Sequence, residues 1–77
     1  MENELTIGER IKIERQQCGM TQKQLALEAG VTQRCVSHYE LGQREPQFVA
    51  IGKIMEAMGF QMQFVKEGKN ERFSKVY

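Results

Sequence analysis

Gln33, Arg34, Ser37 and His38 crowd into six residues of the chain. If that stretch is helical, at about 100° per residue the four occupy one contiguous arc, while Cys35, Val36 and Tyr39 take the opposite one. One arc hydrogen-bonds and the other is apolar. Gln and Arg carry the two-point donor and acceptor geometry that matches adenine and guanine edges in the major groove of DNA. An ordinary solvated helix face has a similar composition, so the flanking residues must decide between the two readings.

Other chemistries find less support. Cys18 and Cys35 fall on different predicted helices and read as small semi-buried hydrophobes in a reducing compartment. With His38 as the one histidine and no Asp in the chain, the spacing and fourth ligand of a structural zinc site are missing. No nucleophile elbow, phosphate loop or paired-carboxylate signature is present. The reading is a non-enzyme without cofactor or metal.

The elements that would position the polar arc are marked by capping grammar. Thr21 can cap a helix whose N3 residue is Gln24, with Met20 and Leu25 as the staple pair, so this helix starts at Gln22. Thr32 repeats the pattern, with Val31 before it and Val36 one turn in, and a second helix starts at Gln33. Only Gly30 and Val31 separate the two, and a left-handed glycine there ends one helix before the next begins. Helices joined so tightly must cross steeply.

Upstream, Ile7, Ile11 and Cys18 form one stripe with Glu14 and Arg15 between them, which predicts a helix over about Ile7 to Gln17. Arg15 shares that face with core residues, so its charge needs a partner, and Glu40 is the candidate. Glycines 19, 30, 42 and 59 each follow an apolar-periodic segment and divide the chain into four helices. Leu41 to Pro46 is a polar loop. A fourth helix follows over about Gln47 to Met58, burying Phe48, Ile51, Ile54, Met55 and Met58. Gly52 inside it implies either a close backbone approach or a tolerated cost.

After Gly59 the period becomes alternating. Phe60, Met62 and Phe64 point one way and Gln61, Gln63 and Val65 the other, which predicts a short strand over 60–65. It has no partner strand in its own chain, and unpaired edges invite pairing with another molecule. Phe60, Met62 and Phe64 are therefore the expected dimer contacts. Residues 66–77 read as a flexible tail.

The chain is 77 residues long with a net charge of +1. That length gives one small domain near the lower limit for a self-sufficient core, which makes oligomerisation useful. The near-neutral charge means that any DNA affinity must come from placed residues rather than from a broad basic surface. No segment has the apolar run of a membrane span or the pattern of a signal peptide, so the expected location is the cytoplasm.

The run Thr21-Gln22-Lys23-Gln24-Leu25-Ala26, then Gly30-Val31-Thr32, then Val36 through Pro46 closely resembles the helix-turn-helix domain of the Cro and phage-repressor superfamily, the xenobiotic-response-element type. The resemblance covers Ile7 to Gly59. It implies an all-α, lambda-repressor-like fold of four helices, here with a short C-terminal β-strand that pairs between subunits. More narrowly, Phe60 to Val65 resembles the C-terminal element of small antitoxins of the HipB type. The resemblance also assigns roles. Gln33, Arg34, Ser37 and His38 fall at positions that touch base edges, Gln22 at one that meets a phosphate, and Thr32, Gln43 and Arg44 where the family contacts the DNA backbone. Arg15 and Glu40 match a pair tying the first helix to the end of the third. Ala29, Leu27 and Gln47 depart from the pattern, where a leucine, a charged residue and a Ser or Thr cap are usual.

Two functions follow. One is a sequence-specific DNA-binding regulator, dimeric through the strand on a palindromic operator, repressing its own operon and serving as the antitoxin of a toxin pair. The other is a protein-binding module with a vestigial helix-turn-helix, which engages a toxin or other partner through the strand or the Leu27 surface without specific DNA binding. The polar arc favours the first reading and the near-neutral charge favours the second.

Overall fold

The computed structural model describes residues 5–63. They form α1 (Ile7–Gln17), α2 (Gln22–Ala29), α3 (Gln33–Glu40) and α4 (Phe48–Ala57). The expected helices stand within a residue of these bounds because their ends are set locally. Thr21 accepts from the Gln24 amide at 3.0 Å while the Gln24 side chain accepts from the Thr21 amide at 2.8 Å, a reciprocal cap. Thr6 and Glu9 do the same for α1. The Thr32 hydroxyl accepts from the Cys35 amide at 3.0 Å. Gln47 makes no side-chain cap on α4; its amide instead donates to the Tyr39 hydroxyl at 3.2 Å.

The helices also end alike. Gly30 is left-handed, with φ of 73°, and the next amide, Val31, reaches back to the Ala26 carbonyl at 3.0 Å. The bonds Met20 to Arg15, Gln43 to His38 and Phe60 to Met55 repeat this closure on α1, α3 and α4. The stops predicted at glycines 19, 30, 42 and 59 are thus the observed ones.

α2 packs on both α3 and α4, and α1 packs on α3. Ile11, Leu25, Val36 and Ile54 are wholly enclosed, with Ala26, Ala29, Cys35, Tyr39, Ile51 and Met55 around them. Ala26 and Ala29 are buried on α2, the helix that packs on both α3 and α4.

Three expected core positions lie outside. Ile7 and Phe48 are exposed, each the first residue of its helix. Cys18, the residue that ends α1, is exposed as well. In place of Ile7, α1 buries Gly8. A Cβ at Gly8 would overlap the Tyr39 carbonyl; the two backbones touch there. Gly52 has no such role, since a Cβ there would meet only the Met62 side chain, at 3.9 Å.

Among the described residues there is no strand. Phe60 packs against the core, and Met62, near Gly52, is exposed together with Gln61 and Gln63. The Arg10 guanidinium stands 5.8 Å from the centre of the Phe60 ring, within reach of a cation–π contact. Phe64 and Val65 of the expected strand, and the expected tail 66–77, lie outside the described residues.

Candidate nucleic-acid interface

α3 is divided as its sequence requires. Cys35, Val36 and Tyr39 are buried, Gln33 and Arg34 are exposed, and Ser37 and His38 are half-buried. The four polar residues thus share the face turned away from the core. Gln33 and Arg34 occupy its first turn, the end that meets base edges when a recognition helix enters the major groove.

Thr32 is exposed. Its oxygen accepts the cap bond from the Cys35 amide, a bond that does not use the hydroxyl proton. Gln43 and Arg44 are exposed in the loop after α3 and line an open cleft of about 410 Å³ with the start of α1, Glu45 and Pro46.

The orientation of α3 is held at its far end. Arg15 donates through Nε to Glu40 Oε2 at 2.7 Å, through Nη2 to Glu40 Oε1 at 3.1 Å, and through Nη1 to the Met20 carbonyl at 2.8 Å. The side chains of this pair are only 12% and 3% exposed. Gln22 adds a fourth bond, Nε2 to Glu40 Oε1 at 3.0 Å. One carboxylate therefore gathers α1, the start of α2 and the end of α3. The pairing of Arg15 with Glu40 was legible in the sequence. Neither the Gln22 bond nor the Met20 carbonyl was.

Gly8 is the other residue that sequence reasoning missed. Its signal was a glycine in the first turn of a helix, where no turn or cap calls for one.

The polar face, its caps and the clamp beneath it coincide with a family match. Residues 11–65 match the helix-turn-helix family. The chain belongs to it. This is the Cro and phage-repressor type to which the sequence motifs pointed. The chain is also similar to the SPbeta prophage-derived uncharacterized HTH-type transcriptional regulator YonR of Bacillus subtilis (strain 168), with 30% identity over 66 residues. That alignment takes in 86% of this chain and 61% of the relative, so this helix-turn-helix protein spans less than two thirds of the relative's length. Among its described residues no helix is long and apolar enough to cross a membrane.

Proposed function

We propose that this protein is a sequence-specific DNA-binding transcription regulator that reads base edges with Gln33, Arg34, Ser37 and His38. The observation that carries the reading is the division of α3: three buried apolar residues fix the helix while its exposed first turn offers Gln33 and Arg34. Membership of the helix-turn-helix family supports it, as does the relative whose name describes a transcriptional regulator. Gln22, Thr32, Gln43 and Arg44 are the backbone contacts in this reading, and they set the register in which bases are read.

The functional unit in this proposal is a cytoplasmic homodimer on a palindromic operator, joined through Phe60, Met62 and Phe64 and acting as an autoregulatory repressor. With a net charge of +1, its affinity has to come from these placed contacts rather than from a broad basic surface. Selection of bound sites from a pool of random duplexes tests it. A palindrome with half-sites about one helical turn apart is the expected result; no enrichment over the starting pool would refute specific binding.

A second surface favours a protein partner as well. Leu27 is 82% exposed on α2, beside an apolar hollow that Ala26 and Val31 help to line. A toxin protein bound there would make the chain an antitoxin. Co-purification of a co-expressed neighbouring toxin, abolished by Leu27→Glu, is the matching test.

A further inference from the structure

We infer that Glu40 is a positioning residue for the DNA backbone contact and acts through Gln22. The inference rests on the DNA-binding reading and adds a reason for the buried carboxylate beyond joining helices. A carboxylate only accepts hydrogen bonds, so of the two ends of the Gln22 carboxamide only Nε2 can face Glu40. The observed bond of 3.0 Å fixes that choice. One N–H of Nε2 is then spoken for and the other remains.

The remaining N–H sits on the first residue of α2, where first-turn backbone amides lack helical partners and favour an anion. Gln22 is half-buried, and its side chain is held before DNA arrives, which spares the ordering of a long side chain on binding. The carboxylate that holds it does not repel an approaching phosphate. It is 3% exposed and carries two bonds from the Arg15 guanidinium, which offsets its charge. Removing the pair would release Gln22 to present either end of its carboxamide outward.

The test uses the full chain and a mixed-sequence duplex of about 20 base pairs at about 50 mM salt, where contacts to phosphate dominate affinity. Three variants are compared with the parent: Gln22→Ala, the pair Arg15→Met with Glu40→Met, and the triple combination. Exchanging both charges for apolar side chains strands neither of them, so the pair variant is expected to fold. Each protein is measured below its own thermal transition, followed by circular dichroism.

Gln22→Ala is expected to weaken binding about fivefold, the worth of one hydrogen bond. The Met pair should weaken it by the same factor, and the triple variant no further. Should the Met pair fail to fold, Arg15→Met with Glu40→Leu replaces it, which again strands no charge, with a loss that Gln22→Ala does not deepen. Parental affinity in the folded pair variant, or an equal loss from Gln22→Ala in both backgrounds, overturns the inference. If the parent binds no duplex, the DNA-binding reading itself falls.

Discussion

Gly8 in α1 lies directly against the main-chain carbonyl of Tyr39 in α3, with no room for a Cβ between them. The same carbonyl accepts from the Gly42 amide at 3.1 Å, so it cannot swing aside without opening the end of α3. Alanine is the better helix former by about 1 kcal/mol, yet here the overlap dominates. Gly8→Ala is expected to destabilise the fold by about 1 to 3 kcal/mol, the usual cost of overpacking, measured by urea denaturation. Equal or greater stability would show that α1 can shift away from Tyr39.

Gly52 should behave in the opposite way. The space above it is open apart from the flexible Met62 side chain, so Gly52→Ala gains helix propensity with no clash. An increase of about 0.5 to 1 kcal/mol is expected, and a lower melting temperature would mean that the Met62 contact matters more than propensity.

For DNA reading, Arg34→Ala should cost about 1 to 3 kcal/mol and relax selectivity at one base position. The comparison is made on the selected operator and on variants of it changed one base pair at a time. A loss that is uniform over all of them would assign Arg34 to phosphate.

The pair of Arg15 and Glu40 calls for an asymmetric outcome. Replacing Glu40 alone with Gln strands a nearly buried guanidinium and should destabilise by about 3 to 5 kcal/mol. Replacing both with Met should come close to the parent. If the single variant melts with the parent, the ion pair contributes nothing that the Gln22 and Met20 bonds do not.

The dimer proposal predicts that truncation after Gly59, or Phe64→Lys, yields a helical domain that sediments as a monomer and binds its operator far more weakly. Two half-sites must be bound together for full affinity. A truncated protein that remains dimeric at full affinity would place the interface on the helices.

The sequence made the helix ends legible because they depend on neighbours a turn away: Thr21 with Gln24, Thr32 with Cys35, and the glycines that close each helix. The division of α3 was legible for the same reason, since its moment is a property of one element. Periodicity alone could not say which turns another helix covers, and so Ile7 and Phe48 were expected inside while they are exposed at the first residues of their helices. Gly8 was missed because its obstacle, the Tyr39 carbonyl, lies on another helix. Gln22 was assigned a phosphate contact by the resemblance, which gave no sign of a bond inside the domain. The carboxylate that holds it comes from the end of α3. Of the alternating residues after Gly59, Phe60 alone among the described ones packs on the core, and a strand needs an edge to pair with, which none of the described residues supplies.

The sharing of Glu40 by three helices has a consequence for how the domain opens. A recognition helix anchored only by its apolar face could fray from its C-terminal end while the rest of the domain stayed folded. Here the last residue of α3 is bonded to α1 and to the start of α2, so unwinding that end uncovers a buried charge pair at once. Local opening of α3 then approaches the free energy of global unfolding, and the reading helix and its scaffold open as a single cooperative unit.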